Sequence, residues 1–299
     1  MRIFGKRRFV VLAFSLLVLF WGSAFAMVEI GLYYSPPVLF AGLRTVIGGL
    51  AMVVAALLWG GSPNLRRDWP VFLLLALFNV VLFIAFQTYA IVYLPSGSAA
   101  VLVYLQPILV GFLAWLILGE ELSAPKLVGL LLGFSGIVAV SSASLSEAAH
   151  ALSPTGVVLG TASALAWALG TVYFKRYEAR VSTLWAVAVP FVVGGAALTA
   201  LGLMVESWDE VSWTGAFVGS LLYSALIGIS AAWVIWFGLV RAGEASRVAA
   251  YIFAVPLTAV LVGALVLDER LSYSLLVGAA LVVCGIYLVN RPPRDKPRR

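Results

Sequence analysis

Charge is scarce in this sequence. Asp, Glu, Lys and Arg make up 11% of the 299 residues, while 63% are hydrophobic. A soluble domain carries roughly 25% charged residues, so this chain cannot cover a water-facing surface and must be solvated by lipid. Cysteine and histidine are scarcer still, with one of each, Cys284 and His150. That excludes a disulfide framework and a cysteine- or histidine-rich metal site. Cys284, inside an apolar run, reads as a small core residue, and His150 falls in a connector. No Asp or Glu lies near the middle of an apolar run, which removes the buried carboxylate that proton- or cation-coupled translocation relies on. Hydrolytic, phosphoryl and metal chemistry need a nucleophile beside a base, or clustered His and carboxylates. Neither pattern occurs inside the runs, so no enzyme activity, cofactor or metal is expected.

What the sequence does have is long apolar runs of about the 20 residues a helix needs to cross a bilayer. Hydropathy and breakers such as Ser35–Pro36–Pro37, Gly60–Gly61–Ser62–Pro63 and Ser153–Pro154 predict ten spans: 9–32, 37–59, 70–92, 96–118, 124–143, 154–174, 183–204, 214–238, 246–267 and 271–290. With the N-terminus in the cytoplasm, all of the 19 lysines and arginines except Arg44 and Arg270 fall inside. The connector around Glu206, Asp209 and Glu210 carries no positive residue and falls outside. This asymmetry predicts both termini in the cytoplasm and argues against nucleic acid as the partner of a chain with net charge +6, because the cations lie in connectors rather than on one face. Arg2–Arg8, the following apolar stretch and Ala24–Phe25–Ala26 also have the outline of a signal peptide. Cleavage would strip the chain of its first span, so the uncleaved reading is preferred.

The second half repeats the first at an offset of 149 residues. Ala100 falls on Ala249, Tyr104 on Phe253, Pro107 on Pro256, Glu120 on Glu269, Gly129 on Gly278 and Gly136 on Gly285. Five spans per half means that the second repeat enters the membrane from the opposite side. The expected fold is an all-α integral membrane protein with ten transmembrane helices in two inverted five-helix repeats. Residues 1–145 form the first repeat, 150–291 the second, and 292–299 a basic cytoplasmic tail. Inverted repeats usually enclose a substrate site between them and exchange conformations across the midplane.

Several short motifs occur in order along both halves: Phe20–Trp21–Gly22–Ser23–Ala24–Phe25, Leu118–Gly119–Glu120–Glu121–Leu122, its echo Leu267–Asp268–Glu269–Arg270–Leu271, and the glycines 129, 136, 278 and 285. In these the chain resembles the drug/metabolite transporter superfamily, specifically its ten-helix EamA-type carriers, and within them most the amino-acid exporters of the YddG type. Asp268 stands where a glycine is common. The resemblance implies a multi-pass bacterial inner-membrane protein. It would export small neutral or zwitterionic metabolites, amino acids including aromatic ones among them, by alternating access, one monomer forming a complete pathway. The alternatives are a multi-pass channel or an exporter of other drug-like solutes.

Candidate substrate residues are those that set the halves apart or put chemistry inside a span. Arg44 sits roughly 10 Å below the outer end of its helix at 1.5 Å per residue, where a guanidinium either binds a substrate carboxylate or pairs with Glu29; the partnering rule for intramembrane charge favours the pair. Asn79, Phe83 and Gln87 lie at i, i+4 and i+8, on one face. Trp167 shares a face with Gly156, Gly160, Ser163 and Gly170, small residues that pack closely and leave the indole projecting. Trp21, Tyr104, Tyr223 and Phe253 offer flat apolar surfaces, three of them with a polar tip. The cavity is expected between spans one, three, four, six, eight and nine. Pro107 and Pro256, at equivalent places, are expected hinges. Glu120 and Glu269 are expected to cap the helices that follow them. Trp59, Trp69, Trp208 and Trp213 read as headgroup anchors.

Overall fold

The computed structural model describes residues 2–94, 96–142, 153–267 and 273–291. Among these residues every regular element is helical, as lipid requires: without water to pair them, backbone groups must bond within the segment. The first half consists of α1 (Arg2–Tyr33), α2 (Pro37–Trp59), α3 (Leu65–Leu75), a π-helical turn (Ala76–Leu82), α4 (Phe83–Tyr93), α5 (Ser96–Val103), α6 (Gln106–Leu118) and α7 (Ala124–Val140). The second consists of α8 (Pro154–Tyr177), α9 (Thr183–Val205), a 3-10 turn (Trp208–Glu210), α10 (Gly215–Tyr223), a π-helical turn (Ser224–Ala231), α11 (Ala232–Ala242), α12 (Ala245–Ala250), a second 3-10 turn (Tyr251–Phe253), α13 (Ala254–Leu267) and α14 (Tyr273–Asn290). Eight helical stretches among the described residues are long and apolar enough to cross a membrane, and two shorter apolar helices, Ala124–Val140 and Ala245–Leu261, accompany them.

Local chemistry sets the boundaries. Pro37 opens α2, and the side chains of Ser182 and Thr214 accept from the backbone of Trp185 and Phe217 to cap α9 and α10. Gly119 ends α6 at φ +71°, a left-handed conformation that a β-carbon would disfavour. Glu120, the next residue, is thereby turned away from its own chain direction. Its carboxylate caps not the following helix, as expected, but α12 in the other half, accepting from the backbone N–H of Ala245 at 2.6 Å and of Ser246 at 3.1 Å.

The 149-residue offset recurs in the element order. Both π turns fall at matching positions, and so do the breaks at Tyr104–Leu105 and Tyr251–Phe253, each just ahead of a proline. Pro107 is the second residue of α6 and Pro256 the third of α13, where the missing N–H costs no intrahelical bond. Equivalent helices pack in antiparallel pairs. Gly129 of α7 lies against Gly285 of α14 and Gly136 against Gly278; a β-carbon at any of the four would meet the partner glycine's carbonyl oxygen at 2.6–2.7 Å. On α2 and α9 the facing positions are Leu39 with Gly202, Val46 with Gly195 and Gly49 with Val192. Val46 and Gly195 are each other's counterparts in the repeat. Small residues let backbones approach closely where lipid offers no hydrophobic drive to associate.

Cys284 lies exposed on α14 and is not a core residue: hydropathy registers its apolar run but not which side of the helix meets lipid. Trp59, Trp69, Trp208 and Trp213 are all exposed, near helix ends. His150, Glu269, Arg270 and residues 292–299 lie outside the described residues.

Candidate functional site

A cavity of about 390 Å³ lies where the two halves meet. Its walls come from α1 (Trp21, Ala24, Val28, Leu32), α2 (Pro37, Phe40, Ala41, Arg44), α4 (Phe83, Ile84, Gln87, Thr88, Ile91, Val92), the break before α6 (Val103, Tyr104), α8 (Trp167), the second π turn and α11 (Gly228, Ile229, Trp233), and α13 (Val255). Leu32, Pro37 and Val92 stand at helix ends, so the cavity reaches the end of the bundle where α1 passes into α2. Its deep side is aromatic. Phe83 lies 4.9 Å from Trp167 and 6.2 Å from Trp233, and Trp21 lies 5.6 Å from Trp167, measured between ring centroids. Beneath them Phe174 and Phe237 stack at 4.1 Å, and the Arg241 guanidinium sits 5.8 Å from the Phe174 ring. This aromatic column fills the path between the cavity and the opposite end of the bundle.

Of the nine residues expected to meet substrate, Trp21, Arg44, Phe83, Gln87, Tyr104 and Trp167 line the cavity. The other three lie elsewhere. Asn79 is wholly buried, its amide packed against Gly170 of α8 and left without a hydrogen-bond partner. It lies one turn deeper than Phe83: Phe83 packs on Trp167 of α8 and Asn79 on Gly170, the next turn of the same helix, so Asn79 falls beneath the aromatic side of the cavity. Tyr223 bonds the Ser23 hydroxyl at 2.8 Å and ties α10 to α1. Phe253 is fully buried against Gly133 of α7. The expected lining omitted the second span as a whole, yet α2 supplies much of one wall.

The Arg44–Glu29 pair, favoured by the sequence, is absent. Among the described residues Arg44 has no ion-pair or hydrogen-bond partner, and its Nε is buried, while Glu29 is exposed. Trp21, Ala24, Val28 and Leu32 are the α1 residues that face the cavity; Glu29, about 100° round the helix from Val28, points away. The side chains of Gln87, Thr88, Tyr104 and Trp167 likewise have no hydrogen-bond partner among the described residues, whereas Trp21 donates to the Gly228 carbonyl at 3.2 Å. That contact has a counterpart across the repeat. Trp21 is equivalent to Gly170 and Gly228 to Asn79, so a large residue meets glycine in both places with the sizes exchanged. Trp233 was missed by the sequence reading. Its counterpart is Ile84, so the asymmetry between halves that marks Arg44 and Trp167 marks it as well.

At the end opposite the cavity, ion pairs join the halves. Lys126, only 4% exposed, donates to Glu244 at 2.8 Å and to the Ser246 hydroxyl at 2.9 Å; Arg247 also pairs with Glu244. The Ser246 hydroxyl in turn bonds Glu120. Partial burial would raise the Glu244 carboxyl, but the hydrogen bonds and charges of Lys126 and Arg247 outweigh it and hold the group below its ordinary value. Asp68 is flanked by Arg67 and Arg180, and Arg176 donates to the Ile117 carbonyl at 3.1 Å.

The EamA-like transporter family model matches residues 8–142 and again 154–291. The chain belongs to the EamA-like transporter family. It is 42% identical to "Uncharacterized transporter YvbV" of Bacillus subtilis (strain 168), over 93% of this chain and 90% of that one. It is 28% identical to a "Probable amino-acid metabolite efflux pump" of Escherichia coli (strain K12), over 91% and 92%. A solved crystal structure superposes with a TM-score of 0.80 at 25% identity, covering 94% of this chain and 96% of that one. As an EamA-like protein the chain is a multi-pass membrane transporter, and the cavity between its two family units is where its solute is to be sought.

Proposed function

We propose that this EamA-like transporter exports small neutral or zwitterionic metabolites, amino acids including aromatic ones, by alternating access through the cavity at Arg44 and Trp167. The reading takes the eight long helices and two shorter ones as ten spans, in inverted repeats of residues 1–145 and 150–291 with both termini in the cytoplasm of a bacterial inner membrane. The antiparallel packing of α2 with α9 and of α7 with α14 supports the inversion. In that orientation the cavity opens outward and the ion-paired end faces the cytoplasm, where the basic connectors belong. The observation that carries the proposal is an unpaired arginine on the wall of an aromatic cavity, suited to a carboxylate on an apolar body. Trp21, Phe83, Gln87 and Tyr104 complete the contact surface. Asn79, Tyr223 and Phe253 act through helix packing, and Pro107 and Pro256 as hinges at the two helix breaks. One chain forms one pathway.

The test is solute counterflow in proteoliposomes loaded with unlabelled amino acids. Saturable counterflow of a labelled aromatic amino acid supports a carrier. Flux that neither saturates nor exchanges supports a channel, and flux of other solutes alone assigns a different cargo.

A further inference from the structure

The cavity's polar groups are unevenly composed. Arg44 and the Trp167 indole are donors only, and both hold a buried nitrogen with no partner. Gln87, Thr88 and Tyr104 can donate or accept and are also unpaired among the described residues. No Asp or Glu lines the cavity. An α-ammonium brought in with an amino acid would find only neutral groups and ring faces, beside a guanidinium of the same sign. A carboxylate would find the Arg44 guanidinium on the cavity wall, with Gln87, Thr88 and Tyr104 able to donate beside it. The apolar remainder of a ligand would meet Trp21, Phe83 and Trp233.

Resting on the reading of this cavity as the substrate site, we infer that it recognises the carboxylate and the flat apolar body of its ligand and has no subsite for the amino group. Aromatic monocarboxylic acids lacking an amino group are therefore ligands at least as good as the corresponding amino acids, and aromatic amines are not ligands. The selectivity comes from charge balance: one fixed cation and no fixed anion admit a monoanion without leaving a buried charge unpaired.

The experiment measures binding of phenylalanine, 3-phenylpropionate and phenethylamine to the purified protein in nanodiscs, by calorimetry, and counterflow of the same compounds in proteoliposomes. The expected order is 3-phenylpropionate equal to or tighter than phenylalanine, with phenethylamine at least tenfold weaker than both. Arg44→Gln is expected to weaken 3-phenylpropionate at least tenfold, and Arg44→Lys less. Phenylalanine binding tenfold tighter than 3-phenylpropionate, phenethylamine binding as well as either, or no binding by any of the three overturns the inference on the unaltered protein, whether or not the variants fold. Binding in the expected order without counterflow defeats the carrier reading and leaves the recognition intact. Counterflow of phenylalanine with neither binding nor exchange of 3-phenylpropionate does the reverse.

Discussion

Arg44 illustrates what a single residue contributes and what it costs. Its Nε is buried with no partner, an arrangement that stability alone does not favour, because an unpaired buried charge loses solvation without recovering it. Arg44→Leu is therefore expected to raise the thermal stability of the protein in detergent by about 1 kcal/mol while abolishing carboxylate counterflow. A fall in melting temperature would mean that the guanidinium has a structural partner after all. The sequence drew attention to Arg44 because a cation inside a span is expensive. It favoured a pair with Glu29 over a place on the cavity wall, and the structure decided otherwise through the way α1 is turned. Asn79 went the other way: its spacing from Phe83 and Gln87 suggested a cavity wall, but it lies a turn deeper, packed on Gly170.

At the scale of helices, close approach and end capping hold the repeats together. Gly285→Ala would put a β-carbon 2.6 Å from the Gly129 oxygen and the Gly133 nitrogen, backbone atoms that cannot step aside. The change is expected to cost about 2 kcal/mol, read as a lower melting temperature. The contact at Lys126, Glu244 and Ser246 is sensitive to pH. Because the folded protein holds the Glu244 carboxyl below its ordinary value, the ionised form is favoured by folding. That stabilisation is fully present above the unfolded group's pKa and is lost as pH falls through the lowered folded value. Glu244→Gln should flatten this acid loss and, at neutral pH, lower stability by about 1 kcal/mol, a modest figure because the Glu244 side chain is 43% exposed. Melting curves of both proteins across the acid range check the point.

For the molecule as a whole, the proposed alternating access makes the cavity at one end and the ion-paired layer at the other one of two states related by the repeat. Cysteine placed at Val28 or Ile91, in a Cys284→Ser background, is expected to react with a membrane-impermeant thiol reagent added outside cells, and ligand is expected to protect it. Glu120→Gln removes charge from the cap on α12 and should shift the population toward the state open at the other end, slowing that labelling severalfold. Unchanged labelling would show that Glu120 serves folding alone.

Composition, hydropathy and the 149-residue offset were enough to settle a lipid-solvated helical chain built twice from one plan, because helix formation in lipid follows from apolar length and a duplicated pattern gives a duplicated element order. Six of the nine expected residues line the cavity; Arg44, Gln87 and Trp167 among them could be picked because they depart from the repeat, and Tyr104 although it keeps it, with Phe253 as its counterpart. The rotation of each helix about its axis was decided only in three dimensions. It turned Glu29 and Cys284 outward, and tertiary packing set Asn79 against Gly170 and carried Glu120 across to the other half. Those outcomes rest on which way each helix faces and on contacts between residues about ninety or more positions apart, and neither leaves a trace in hydropathy.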